Sequence, residues 1–202
     1  MRNEIKTVLV HGFNINDEGK HTVQKLLPAL KRRHKGVVKN WAYGWFGLFS
    51  VIFRNKSVAK GIKAYLEQSV WQTDNYAVGH SNGCAILVEA ARQGCKFKRL
   101  LLINPALKVD TVFPDSIESI VIVHTEADKP TRTARFFDRV PLVQLIVPNA
   151  WGAMGALGYQ GKADKRVTNK DMSFVLEGHS DIFTNKNMRK YGAELVRELY
   201  AK

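Results

Sequence analysis

The sequence predicts an α/β fold, a mostly parallel central sheet with helices on both faces. Three observations carry this. Short apolar runs alternate with longer stretches of helical period, the order expected of strands joined by helical crossovers. Two of those runs, 100–103 and 120–123, are apolar without interruption, as strands covered on both faces are. A glycine-flanked serine, Gly79-His80-Ser81-Asn82-Gly83, stands where one strand hands over to a helix.

The elements follow in order. Residues 7–10 read as a buried strand ending at His11-Gly12. The stretch 22–34 places Val23, Leu26, Leu27 and Leu30 on one helical face. Val37 and Val38 begin a short second strand, followed by an aromatic stretch over 41–53. A helix over 57–69 turns Val58, Ile62, Tyr65 and Leu66 inward. Residues 76–79 form the strand before the glycine-flanked serine, and 82–92 the helix after it. Beyond the strands 100–103 and 120–123, Lys129-Pro130 opens a helix through Phe136, Phe137 and Val140, since proline suits a first helical turn. The run 141–148 fits strand or helix, because a short apolar run does not declare its period. Residues 151–170, rich in glycine and basic side chains, read as a long loop, with a lid over the site one candidate role left open. A last strand is expected over 173–176. A final amphipathic helix covers 186–200, with Tyr191, Leu195, Val196 and Leu199 on its apolar side. No internal repeat, low-complexity tract or linker interrupts the pattern, so one domain over residues 1–202 is expected.

Composition narrows the class. A hydrophobic fraction of 45% and a charged fraction of 24% are ordinary globular values, which excludes disordered, collagen-like and coiled-coil chains. No apolar run approaches the ~20 residues of a membrane span. The start of the sequence lacks an apolar signal core, and a cytoplasmic location is expected. Cys84 and Cys95 are too few for a disulfide framework or a CxxC-type zinc site, so both are expected as reduced thiols. The net charge is +13. Its cations cluster at Lys31–Lys35, Lys96/Lys98/Arg99, Arg132/Arg135/Arg139, Lys162/Lys165/Arg166 and Lys186/Arg189/Lys190. Such a field attracts anionic surfaces. The clusters are scattered, however, and solvated helix faces account for them most simply. No zinc-finger, RRM or KH signature points to a specific nucleic acid.

The pentapeptide at 79–83 carries the chemistry. A serine on a sharp strand-to-helix turn is lifted clear of the sheet toward the positive end of the following helix, and small neighbours let the two elements approach. With His11-Gly12-Phe13 after the first strand, and Asp128 and His179 further along, the chain resembles the α/β-hydrolase superfamily. Within it the sequence is most similar to small serine esterases and lipases, with a minimal cap or none. The resemblance spans about residues 6–200 in element order as well as in motifs.

That resemblance implies acyl transfer from a carboxylic ester, with an apolar acyl group as one candidate, through an acyl-enzyme. Ser81 is the implied nucleophile, His179 the general base and Asp128 the carboxylate orienting the imidazole. The residues themselves support parts of this. A serine hydroxyl is a poor nucleophile without a base. Of the two histidines after Ser81, His124 ends a buried strand, whereas His179 lies in a loop from which a ring can reach a neighbouring strand's end. Asp181 is then a candidate cap for the last helix. For the acid, Asp128 competes with Asp110, Asp115 and Glu126, and its position before a helix also fits a pure N-cap. The implied oxyanion hole uses the backbone N–H groups of Asn82 and of Phe13, with Asn14 the rival to Phe13.

Trp41, Tyr43, Trp45, Phe46, Leu48 and Phe49 make a dense aromatic patch, and Trp45 and Trp151 are the candidates for a substrate pocket. Core packing explains the same residues equally well. No HExxH, Walker or EF-hand pattern appears, so no metal or nucleotide cofactor is implied. Two other classes of function stay open. One is a hydrolase-fold binding protein without turnover; the other is a basic protein held on an anionic membrane or nucleic acid. A small ester or acyl compound is the expected partner.

Overall fold

A computed structural model describes residues 4–13, 16–33, 36–44, 51–68, 73–137 and 151–201. Its strands are β1 (Glu4–Val10), β2 (Val37–Trp41), β3 (Thr73–His80), β4 (Arg99–Ile103), β5 (Ile120–His124) and β6 (Val167–Asp171). They form one sheet in the order β2-β1-β3-β4-β5-β6, with every neighbouring pair parallel. The helices are α1 (Leu27–Arg33), preceded by a 3-10 turn Val23–Leu26, then α2 (Val51–Glu67), α3 (Asn82–Arg92), α4 (Lys129–Phe137), the short α5 (Met154–Leu157) and α6 (Asn185–Leu199).

The period of two along each strand divides the core in two. Val8, Val10, Ala77, Leu100, Leu102 and Ile122 face one side, where α2 and α3 bring Ile62, Leu66, Ile86 and Leu87. Leu9, Val78, Leu101, Ile103 and Val123 face the other, covered by Leu26, Leu30, Leu195 and Leu199 from α1, its leading turn and α6. Strand order reverses at β1: the chain steps outward to β2 and then returns to β3 on the other side. In open parallel sheets such a reversal leaves a crevice beyond the carboxyl ends of the two strands. Here those ends carry His11-Gly12-Phe13 and Ser81.

Three expectations are corrected. The last strand is Val167–Asp171, not 173–176. Its sequence, Val-Thr-Asn-Lys-Asp, is polar because it is the sheet's edge, where none of its five residues is fully buried. The more apolar run after it is a turn: Val175 and Leu176 both donate their N–H to Met172 O, Leu176 is buried and Phe174 is fully exposed. The stretch 151–170 is not one long loop. It holds α5 and most of β6, and Met154 and Ala156 are buried. Met154 N–H bonds Leu107 O and Thr125 N–H bonds Gly155 O, which fastens it to the loops after β4 and β5. Helix α2 begins at Val51, six residues before the expected start, so Phe53 of the aromatic stretch is helical. Trp45, Phe46, Leu48, Phe49 and the run 141–148 lie outside the described residues, as does Asn14.

Candidate active site

Ser81 sits between β3 and α3 with φ 54° and ψ −122°, a left-handed backbone that costs a non-glycine residue about 1–3 kcal/mol. Strain of this kind persists only where surrounding bonds enforce it. Ser81 N–H donates to Ile103 O, and Ser81 O accepts from the N–H groups of Cys84 and Ala106. The turn also needs space. A Cβ on Gly83 would overlap the Val10 carbonyl, so α3 lies directly against the end of β1 only because residue 83 has no side chain. Gly83→Ala is expected to lower unfolding stability by about 2–4 kcal/mol, read as a lower denaturation midpoint. An unchanged midpoint would contradict that packing.

Asp128 and His179 meet. His179 Nδ1 lies 2.7 Å from Asp128 Oδ2, with the carboxylate completely buried. Burial alone would push the Asp128 pKa up. The His179 hydrogen bond and charge, the Thr131 N–H and the Asn104 amide outweigh it and hold the carboxyl below its usual range. An ionised carboxylate only accepts, so Nδ1 carries the proton and Nε2 is left as the basic nitrogen. Capping and orienting are thus not alternatives for Asp128. Oδ1 accepts from Thr131 N–H at 3.0 Å at the start of α4, while Oδ2 takes the histidine. Asp181 does not cap α6: Thr184 does, accepting from Asn187 N–H, and Asp181 instead ties the His179 loop through Glu177 N–H and Asn187 Nδ2.

The rival acids stand elsewhere. Asp110 and Glu126 are exposed, and Asp115 pairs with Arg166 at 3.5 Å. His124 is buried at the end of β5, where burial lowers its pKa. Between Ser81 Oγ and the His179 ring the structure has no hydrogen bond. In unliganded sites such bonds commonly lengthen and close only with substrate.

His80 links the two halves of the site. Its Nε2–H donates to the His179 carbonyl at 3.2 Å, and the two rings are 4.8 Å apart. Burial, and next the nearby His179, lower its pKa to about 3. An unfolded histidine titrates near 6.5. Between these values the unfolded chain takes up a proton that the folded chain refuses, so stability falls as pH drops through that window. From pH 7 to pH 5 the loss from this group is about 2 kcal/mol. Denaturation of His80→Gln is expected to show a correspondingly weaker pH dependence; identical slopes for variant and wild type would contradict it.

The loop after β1 is held as firmly. His11 Nδ1–H donates to Gly12 O at 2.8 Å, and the ring stacks on Tyr43 at 4.2 Å. Burial lowers the His11 pKa. The Tyr43 hydroxyl lies 2.7 Å from Gly12 O and 3.0 Å from His11 O. Because a trans peptide points its C=O and N–H in opposite directions, fixing Gly12 O toward Tyr43 turns the Phe13 N–H away from it. A Cβ on Gly12 would sit 3.1 Å from Ser81 Cβ, so this backbone runs directly over the serine.

Asn82, fully buried, is the first residue of α3, where an N–H has no intrahelical acceptor. Its side chain exchanges two 3.0 Å hydrogen bonds with Asn55, and its Oδ1 also accepts from Trp151 Nε1 at 3.2 Å. Trp151 in turn packs edge-on to Phe13, ring centres 5.3 Å apart. Of the two pocket candidates, Trp151 therefore touches both Phe13 and Asn82, and Trp45 lies outside the described residues.

Sequence reasoning missed Asn104, His80, Asn55 and the Tyr43 hydroxyl as parts of the site. Asn104, at φ 44°, donates to Asp128 Oδ2 at 3.0 Å. Its only sequence signal is an asparagine just after a buried strand, a residue type that tolerates left-handed backbone. Among the described residues no group of three His, Cys, Asp or Glu could hold a metal ion, and no helix is long and apolar enough to cross a membrane.

The chain has the α/β-hydrolase fold. Est1E from Butyrivibrio proteoclasticus superposes with a TM-score of 0.60 at 15% identity, covering 100% of this chain and 90% of that one. XC6422 from Xanthomonas campestris, described as an α/β serine hydrolase without a lid, gives 0.57 at 15% identity over 100% and 86%. The Pyrococcus furiosus esterase Pf2001 gives 0.59 at 10% identity over 98% and 82%. No family model matches the sequence and no curated protein matches it. At these identities the likeness establishes the fold, and the chemistry must be argued from the residues of this chain.

Proposed function

We propose that the protein is a serine hydrolase of carboxylic esters, with Ser81 as nucleophile, His179 as general base and Asp128 as the residue that orients it. The observation that carries this reading is the buried Asp128–His179 pair at 2.7 Å, with the His179 carbonyl bonded by His80, the residue just before the strained Ser81 at the start of α3. Ser81 Oγ attacks the ester carbonyl carbon as His179 Nε2 takes its proton. The oxyanion that forms is held by the N–H groups of Phe13 and Asn82. Collapse breaks the bond to the alcohol oxygen, which receives the proton from His179 and departs. Water, deprotonated by the same Nε2, then attacks the acyl-Ser81 ester, and the acid is released with Ser81 reprotonated.

Phe13 and Trp151 line the acyl side in this reading, which favours an apolar or aromatic acyl group over a charged one. Ferulic acid, an aromatic acid, is the ligand in a structure of the similar Est1E. Chromogenic esters from acetyl to long acyl, with an aromatic acyl ester beside them, test the proposal against Ser81→Ala. Turnover that vanishes in the variant is expected. Turnover retained by the variant, or none by the folded wild type with any ester, would overturn it.

The Tyr43 hydroxyl holds the loop without touching substrate in this scheme. Tyr43→Phe is expected to lower kcat about tenfold with little change in KM, because a misplaced oxyanion donor acts on the transition state. A pure KM effect would point to a pocket role instead.

A further inference from the structure

Basic residues far apart in the sequence, Arg32 and Arg33 on α1 and Arg189 and Lys190 on α6, line one groove. Helices α1 and α6 lie side by side on one face of the sheet, both rooted in the same core cluster through Leu30, Leu195 and Leu199. Between them runs a groove of about 1360 Å³. Lys20, Lys25 and Arg32 stand on its α1 side and Arg189, Lys190 and Arg197 on its α6 side, with Glu194 as the carboxylate in its lining. Glu194 is already paired with Lys170. Among the described residues, Lys20, Arg32, Arg189 and Arg197 have no carboxylate partner, so the groove carries a concentrated, uncompensated positive charge. The rest of its lining is different in kind: Ala29 and Met188 are half-buried, Gly192 and Val196 are buried, and Pro28 and Ala193 are exposed, all of them uncharged and apolar or small.

We propose that this groove docks an acidic amphipathic helix of a partner protein. Shape and charge together select this occupant. Helices in contact have axes about 8–10 Å apart, a cleft that suits a third helix about 10 Å wide and is too narrow to admit a nucleic-acid duplex. Small lining residues such as Ala29 and Gly192 let a helix backbone approach closely, and the apolar lining meets an apolar stripe while the cationic side chains meet flanking carboxylates. Lys190 and Arg197 are two helical turns apart, about 10 Å, the spacing at which a parallel helix presents residues i and i+7 on one side. Among the described residues no aromatic side chain lines the groove to stack bases, as single-stranded nucleic-acid grooves do. A flat bilayer would reach only the rims. A second copy of this chain is disfavoured, since it brings a further +13.

The test uses the full chain and a labelled, Glu-rich peptide of about 20 residues with leucines at i, i+3, i+4 and i+7, long enough to be helical. A scrambled peptide of equal composition, a duplex RNA and anionic phosphatidylserine vesicles serve as comparison probes. Arg32→Glu/Arg189→Glu/Arg197→Glu alters three exposed rim positions, and Lys56→Glu/Lys60→Glu/Lys165→Glu makes the same charge change at exposed positions outside the groove. Thermal unfolding verifies that both variants fold. By fluorescence anisotropy, the amphipathic peptide is expected to bind the wild type more tightly than its scramble, and the rim variant about tenfold or more weakly than the wild type. The outside variant should weaken binding far less. Equal affinity for the scramble, no binding of the amphipathic peptide, or equal losses in the two variants would overturn the proposal. So would duplex or vesicle binding that is tighter than the peptide's and is abolished by the rim variant. None of these outcomes depends on ester turnover, so this inference and the hydrolase reading stand or fall separately.

Discussion

Ser81→Ala is expected to reduce kcat for the best ester substrate by about 10⁴–10⁶, leaving only what the oxyanion donors and binding supply. KM should change little, because the hydroxyl contributes to the transition state far more than to ground-state binding. The fold should survive. Ser81 anchors its turn through backbone groups, Ser81 N–H to Ile103 O and Ser81 O to Cys84 and Ala106, all of which alanine retains. Alanine keeps the left-handed strain as well, so the variant's stability should match the wild type within about 1 kcal/mol. Steady-state kinetics with a denaturation control separates the two effects. A decrease of less than about tenfold would show that some other group delivers the nucleophile.

The second large effect belongs to the acid. Asp128→Asn keeps the size of the side chain but offers an amide where the His179 Nδ1–H now finds a carboxylate. The amide can favour the wrong tautomer, placing the ring proton on Nε2, where the base is needed. A loss in kcat of about 10⁴ is expected near neutral pH. The same substitution at Asp110, which is exposed, should leave kcat within about twofold. The wild-type rate should not decline from loss of the Asp128 charge until the pH falls below the usual carboxylate range, because the folded carboxyl is held lower still. The carboxylate's stabilising contribution has the same sign: present above the unfolded value near 3.9, and lost as pH falls through the lower folded one. Equal losses for Asp128→Asn and Asp110→Asn would remove Asp128 from the mechanism.

Much of this architecture is legible in the sequence where one physical signal dominates. The strands β4 and β5 are apolar throughout because they are covered on both faces, and α6 declares itself by its period. The serine turn is legible because both small neighbours and the strand-to-helix change are local. Edge strand β6 is hidden for the opposite reason: with none of its residues fully buried, Val-Thr-Asn-Lys-Asp carries no apolar run, and the nearby Phe174 and Val175 imitate one while standing exposed in a turn. The short helix α5 is too small to show a period, and only its contacts with Leu107 and Thr125 define it.

The site divides along the same line. Ser81, Asp128 and His179 are reachable by residue type and order. Asn104, Asn55 and His80 are not, because each acts through a bond to a residue brought near only by the sheet. His80 is 99 residues from the carbonyl it holds. Asn55 meets Asn82 across 27 residues, on a helix whose start the sequence places late. Polar residues of this kind look like surface until the fold buries them, and only then does the need for a partner become visible.

The most direct measurement is the intact mass of the wild-type protein after exposure to a fluorophosphonate, followed by peptide mapping. A nucleophilic serine activated by the Asp128–His179 pair predicts one phosphonyl adduct, on Ser81, formed rapidly in the wild type and slowly or not at all in His179→Ala. An unmodified Ser81 in folded protein that still turns over ester, or an adduct on a different residue, would contradict the account.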